Sequence, residues 1–209
     1  MDWQVTLLIP NRNEPMVGKT VEDLRRTLGD LPIWIHVEDD IQGTGVGATL
    51  RRGLEYVDTE WVLFVMADGS EDPQCLRTMI ELALRDRYDA IWGTRWSPHA
   101  EVIGYPFLKR LLNRAGNHLI AWLYTSHYTD WTDLAKCYRT EWLRQLTWAD
   151  DFRCAVQIST QYGSVSRRER GYFRYAVVPM RWIERSLGRS AFRTVYHSLG
   201  YLQALVKSL

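Results

Sequence analysis

Two apolar runs in this chain of 209 residues end abruptly in acids, and those acids are the side chains best placed for chemistry. The run VLFVM (62–66) is followed by Ala67, Asp68, Gly69 and Ser70, and IWIHV (33–37) by Glu38, Asp39 and Asp40. A short continuous apolar run suits a strand buried on both faces of a parallel sheet. In such sheets ligands bind beyond the carboxyl ends of the strands. A carboxylate placed there can hold Mg2+ or Mn2+, hard cations that take oxygen ligands and neutralise a diphosphate. Asp68 supplies such an oxygen, Gly69 permits close approach, and Ser70 offers a hydroxyl to the ion, to a ligand or to water. Asp39 or Asp40 can accept from the N–H of a nucleotide base. Divided in this way, the acids suit a nucleotide-sugar donor whose diphosphate must leave.

Two other readings of the same residues fail on their own physics. NEPMVGKT (13–20) approaches the phosphate-loop pattern GxxxxGK(S/T), with WVLFVMAD as the magnesium strand. Yet Asn13 replaces the first glycine, Glu14 repels phosphate and Pro15 has no N–H to donate. Gly43, Gly45 and Ala48 fit the dinucleotide pattern GxGxxG/A, with Asp68 at about the distance of a ribose contact. There, three carboxylates precede the first glycine and disfavour a pyrophosphate, and the loop leaves the second strand rather than the first.

The elements that must position these groups alternate. Strands are predicted at 3–9, 33–37, 61–66 and 89–95. Thr20 and Asp23 have the spacing of a capping box, and Val17, Val21, Leu24 and Leu28 form a helical stripe stopped by Gly29. Residues 43–57 read as a glycine-rich turn entering a helix, and Asp72-Pro73 as an N-cap with proline at the first helical position. Such alternation predicts an α/β fold: one domain with a mostly parallel central sheet flanked by helices. In the second half, 107–124 reads as a long helix. Leu108, Leu111, Leu112, Ala115, Leu119, Trp122 and Leu123 form its apolar face, and Arg110, Asn113, Arg114 and Asn117 a polar one. AVVPMRW (176–182) is an edge strand by its proline, 190–209 an amphipathic C-terminal helix, and the basic run SRRERGYFR (166–174) a solvated turn.

Composition narrows the class. A net charge of +1 argues against a nucleic-acid polycation. The three cysteines are scattered, which fits a reducing compartment, and the five histidines lack zinc-ligand spacing. No apolar run reaches membrane-spanning length, so a soluble or peripheral protein is expected. Ten tryptophans suit a core and also a membrane-interface surface.

Six segments in register carry a resemblance. LLIPNRNE (7–14), GVGATLRRGL (45–54), MADGSEDP (66–73), GTRW (93–96), KRLLNRAGN (109–117) with DWTD (130–133), and RSLGRS (185–190) resemble motifs of the inverting family 2 glycosyltransferases of GT-A fold. The dolichol-phosphate mannose synthase type is the most similar. The resemblance implies one glycosyltransferase domain, with 1–98 holding donor and metal and 99–209 the acceptor. It implies nucleotide contacts at Pro10, Asn13, Glu14, Asp39 or Asp40, Gly45 and Ala67, and a cation on Asp68 and Ser70. Arg95, Arg185 and Asp130 are implied as catalytic residues, the two arginines at the leaving diphosphate, and Arg110, Arg114, Arg189 and Arg193 as grips on the acceptor. The implied donor is GDP-mannose, with a UDP-sugar as alternative, and the implied acceptor a polyprenyl phosphate. That acceptor implies a cytoplasmic protein peripheral to the membrane face, alone, as a homo-oligomer or with a membrane-anchored partner. Met66 stands where the first acid of D-x-D belongs, which leaves open a nucleotide-sugar-binding protein without turnover.

Overall fold

A computed structural model describes residues 3–184 except 86 and 125. Arg185, Arg189, Arg193 and the 190–209 pattern lie outside the described residues. The described strands are β1 (Val5–Asn11), β2 (Ile33–Asp39), β3 (Trp61–Phe64), β4 (Ala90–Thr94), β5 (Glu101–Ile103), β6 (Lys136–Arg139), β7 (Tyr175–Pro179) and β8 (Arg181–Ile183). Six form one sheet in the order β2-β1-β3-β6-β4-β7, and β5 pairs with β8 in a second. The pairs β1–β2, β1–β3 and β4–β7 are parallel, while β6 runs antiparallel to both neighbours.

The apolar runs read as strands because both of their faces are covered. On β1, Val5, Leu7 and Ile9 point into one core, which α1 (Val17–Leu28) and α3 (Pro73–Leu84) close. Leu8 points into the other, closed by α2 (Val46–Leu54) and α6 (Cys154–Arg170). β3 alternates likewise, Trp61 and Leu63 against Val62 and Phe64. Each such side chain, fully buried, contributes about 1.5–3 kcal/mol. The edge position of β7 tolerates Pro179, as the sequence predicts.

Three expectations are corrected. Thr20 is not a cap: it lies in the second turn of α1, and its hydroxyl donates to the Ala67 carbonyl at 2.9 Å. The basic run is no turn but the end of α6, where Arg167, Arg168 and Arg170 meet the helix's partial negative charge before left-handed Gly171 stops it. The helix at 107–124 exists as α4 (Phe107–Leu123), but it is turned inside out. Asn113 and Asn117 of its polar stripe face the protein, Arg110 and Arg114 stay exposed, and so do Phe107, Leu108, Leu111, Leu112, Leu119 and Trp122. The short helix α5 (Thr140–Leu143) follows β6.

Candidate active site at the carboxyl edge of the sheet

A cavity of about 210 Å³ opens where β1, β2 and β3 end. After β1 it is lined by Pro10, Asn11, Arg12 and Glu14, and from the β2–α2 loop by Asp40, Gly45, Val46 and Thr49. Met66, Ala67 and Asp68 close it at the end of β3, and Asp151 and Phe152 reach in from the segment before α6. The predicted contacts Pro10, Glu14, Asp40, Gly45, Ala67 and Asp68 therefore share one site. Arg12, Asp151 and Phe152 were not anticipated. For Arg12 a signal existed, since it sits inside the PNRNE turn on the ligand-facing edge. Asp151 and Phe152 come from a distant segment with no motif.

Local structure explains the shape. Asn13 does not line the cavity; its left-handed φ of 53°, a conformation asparagine tolerates, turns the chain so that Glu14 does. Gly69 is left-handed too, with φ of 68°, and lets Asp68 Oδ1 accept from the Ser70 N–H at 3.1 Å. Thr20 braces the same turn through its bond to Ala67. Ser70 itself is buried and is not among the lining residues, so the structure sets Asp68, not Ser70, at the cavity wall.

The ambiguity between Asp39 and Asp40 resolves by geometry. Asp39 is exposed and accepts from Asn11 Nδ2 at 2.6 Å, outside the cavity. Asp40 is buried and lines it. Its Oδ1 accepts from the Thr44 N–H and hydroxyl, both at 2.8 Å, and its Oδ2 from the Gly45 N–H at 3.0 Å. Burial would raise this carboxyl, but those donors, with Arg52, hold it below the ordinary carboxylate value.

The rival chemistries lose their sites. Lys19 lies on the exposed side of α1 and donates to Asp23 at 2.6 Å, which leaves no phosphate-loop lysine. The first turn of α2 is capped by backbone: the Gly47 and Ala48 N–H groups donate to the Asp150 carbonyl at 2.6 and 3.1 Å. A Cβ on Gly47 would stand 2.0 Å from the Ala149 carbonyl oxygen, so glycine serves packing there rather than a pyrophosphate.

Arg95 and Asp130 meet, but as partners of one another. The Arg95 N–H and Nε both donate to Asp130 Oδ2 at 2.8 Å, and Nη2 donates to Oδ1 at 2.7 Å. Both residues are buried, with the guanidinium over Trp96 and Trp182 at 5.5 and 5.8 Å. This corrects the expectation of an Arg95 available to a leaving diphosphate: most of its donors are committed inside the protein. Behind it, α4 presents its polar stripe. Asn113 Oδ1 accepts from Trp96 Nε1 at 2.9 Å, Asn113 and Asn117 donate to Thr132, and Arg110 and Arg114 lie over Trp96 at 5.7 and 5.9 Å.

The cavity's charge tests whether a divalent cation fits. Among the described residues, four carboxylates line it (Glu14, Asp40, Asp68, Asp151) against one guanidinium, that of Arg12. A diphosphate cannot approach such a wall without a cation of its own. The protein's donor set is sparse, however. Among the described residues no cluster of three or more acids, histidines or cysteines forms a metal site. Met66, which lines the cavity in place of a second acid, offers only a soft thioether. Its N–H donates to Oε2 of buried Glu71 at 3.2 Å, and burial, then Asp68 and Asp133, push that acid's pKa well up. One aspartate plus phosphate oxygens and water suits Mg2+ or Mn2+, which commonly bind through one or two carboxylates and substrate phosphates.

The fold matches glucosyl-3-phosphoglycerate synthase of Mycobacterium tuberculosis, solved with Mn2+, uridine diphosphate and phosphoglyceric acid. Identity is 15%, the TM-score 0.72, and the match covers 98% of this chain and 78% of that one. The same synthase with Mn2+, uridine-diphosphate-glucose and phosphoglyceric acid matches at 14% identity and a TM-score of 0.71, over 98% and 79% of the chains. A further mycobacterial protein matches at 15% identity and a TM-score of 0.74, over 98% and 74%. At these identities the likeness speaks to fold, and it bears out the single α/β domain of GT-A type. Function follows from the sequence itself: residues 35–145, more than half of the chain and spanning β2 through α5, match the Glycosyl transferase family 2 description, so the protein belongs to the family 2 glycosyltransferases.

Proposed function

We propose that the protein moves a sugar, with inversion, from a nucleoside-diphosphate sugar to a phosphate carried by a lipid at a membrane surface. The observation that carries the donor half is Asp68, held by a glycine turn at the carboxyl end of β3 on the wall of an acidic cavity. A bound Mg2+ or Mn2+ would supply charge neutralisation of the leaving diphosphate. Asp68 would hold that cation, and Asp40 would orient the base. Arg185, given to the leaving phosphate by its motif, follows directly on the last described residue, Glu184. Bond making joins an acceptor oxygen to the anomeric carbon on the face opposite the diphosphate, whose oxygen departs with the bonding electrons. A phosphate acceptor is already an anion and needs no general base.

Met66 provides a direct probe of the cation. Met66→Asp should set a second carboxylate beside Asp68 and bind Mn2+ more tightly, and the metal-free variant should be less stable because like charges then adjoin. Calorimetric titration with Mn2+, and thermal unfolding in a chelator, check both halves. Unchanged Mn2+ affinity would mean that position 66 does not reach the ion.

The acceptor half rests on the inverted α4. Six large apolar side chains exposed on one helix form a patch of the kind that marks an interaction surface. Arg110 and Arg114, exposed on the same helix and packed over Trp96, suit a phosphate drawn from that surface. Among the described residues no helix is long and apolar enough to cross a membrane, so such a contact would be peripheral. Arg110→Ala with Arg114→Ala should raise KM for polyprenyl phosphate by about one to a few orders of magnitude, on ~1.5–3 kcal/mol per charge-assisted hydrogen bond. Donor affinity should not change. Transfer assayed in anionic vesicles, alongside sedimentation with them, tests this. Efficient transfer to phosphoglycerate with none to the lipid would remove the lipid and keep the transferase.

A further inference from the structure

β2 is an edge of the six-stranded sheet, and among the described residues β1 is its one neighbour, paired in unbroken register from Ile33 to Asp39. The Pro32 carbonyl accepts from the Val5 N–H, and the Asp40 N–H donates to the Asn11 carbonyl, so the even-numbered residues turn their main chain towards β1. Main-chain groups alternate in direction along a strand, which turns those of Ile35 and Val37 outward. Among the described residues, these outward groups have no hydrogen-bond partner. A bare edge is a template for another strand unless lysine, proline, a bulge or brevity blunts it. β7, the opposite edge, ends in Pro179. β2, with the sequence IWIHVED, has no lysine and no proline, and its register has no bulge.

We propose that β2 is a dimer interface, at which the strand pairs antiparallel with β2 of a second copy about a two-fold axis through His36. In that register Ile35 of each copy lies opposite Val37 of the other, and the two exchange both main-chain hydrogen bonds, so every outward group of these residues is paired. Their side chains, half-buried on the side of the sheet that α1 and α3 cover, extend the apolar layer across the seam. On the other face His36 meets its own counterpart, each ring already flanked by Trp34 and Tyr56 at 5.2 and 5.5 Å. Glu38 comes opposite Trp34, and Asp39 opposite Ile33, so the acidic end of each strand meets no like charge. A parallel pairing of the same strands would set acid against acid, which is destabilising. The occupant that fits this edge is therefore the strand itself, reversed. Each donor cavity opens at the carboxyl end of its own β2, so the two cavities lie at opposite ends of the seam.

Sedimentation of the whole chain over a concentration series tests this, with Val37→Pro as the disrupting variant. An edge strand tolerates proline where the N–H faces outward, so the variant should fold, which thermal unfolding checks. Wild type should pass from monomer to dimer as concentration rises, and Val37→Pro should stay monomeric throughout. Two cysteine variants read the register without touching the main chain. Directly opposite residues of a non-hydrogen-bonded pair have Cα atoms about 4.5 Å apart, within disulfide reach. His36→Cys should therefore cross-link two copies under a mild oxidant such as diamide. Glu38→Cys should not, because the axis sets position 38 about four residues along from its counterpart, roughly 13 Å away. A wild type that stays monomeric overturns the proposal. So does a dimer that folded Val37→Pro leaves intact, since another surface then holds it, and so does cross-linking through Glu38→Cys as efficient as through His36→Cys.

Discussion

Asp68→Asn should cut sugar transfer by roughly a thousandfold or more and leave the protein folded. The amide keeps an oxygen to accept from the Ser70 N–H, so the turn after β3 persists. What is lost is the negative ligand. Removing the anchor of a cation that neutralises a leaving diphosphate costs several kcal/mol of barrier, and each ~1.4 kcal/mol is a factor of ten in rate. Single-turnover rates at saturating Mn2+, with thermal unfolding of the same samples, provide the measurement. Lys19→Ala is the matched control. That lysine is exposed and, among the described residues, pairs with Asp23 on its own helix, so transfer should be unaffected, whereas a phosphate-loop enzyme would lose activity. Near wild-type transfer by Asp68→Asn would remove the cation from this aspartate.

The largest stability effect should come from Asp130→Ala. Asp130 is fully buried and takes three hydrogen bonds from Arg95, so its removal strands a guanidinium between Trp96 and Trp182. Breaking a buried ion pair from one side costs about 3–5 kcal/mol. At roughly 2–4 °C per kcal/mol for a chain of this size, the midpoint should fall by about 6–20 °C. The double change Arg95→Met, Asp130→Leu should recover much of that loss, because it removes both charges and fills the space. The double variant also separates positioning from chemistry. If the pair only holds the end of β4 against the segment between α4 and β6, transfer should weaken through KM. A collapse of kcat at intact stability would return Arg95 to the leaving group.

The parts of this fold that could be read in the sequence are those whose local signals agree with their surroundings. β1 and β3 are continuous apolar runs because both faces are covered, and Asp72-Pro73 starts α3 as its residue types dictate, with the Asp72 side chain accepting from the Gln74 N–H. α6 was silent. Its buried face includes Ser159, Gly163 and Ser166 beside Ile158 and Tyr162, which blurs an apolar stripe. β6 was silent because two of its four residues are Lys136 and Arg139, both buried. Lys136 is held there by the Trp131 and Asp133 carbonyls, and burial brings its pKa down to about 8. In α4 the period was right and the direction wrong. Periodicity separates two faces, and the choice between them was made by Trp96 and Thr132, which supply partners for Asn113 and Asn117.

The site divides the same way. Asp68, Asp40 and Glu14 were legible because strand ends are where a sheet exposes its chemistry. The capping of α2 by the Asp150 carbonyl and the entry of Phe152 into the cavity depend on a contact about a hundred residues away in the chain, which no local pattern encodes.

In the proposed mechanism a cation bound with the donor diphosphate sits on Asp68. Anomalous diffraction from crystals grown with Mn2+ and UDP tests it most directly. One strong manganese peak is expected within about 2.0–2.6 Å of an Asp68 carboxylate oxygen and of the diphosphate, the range of hard-cation oxygen ligands. A diphosphate bound in the cavity with its manganese on other residues, or with none, would contradict it.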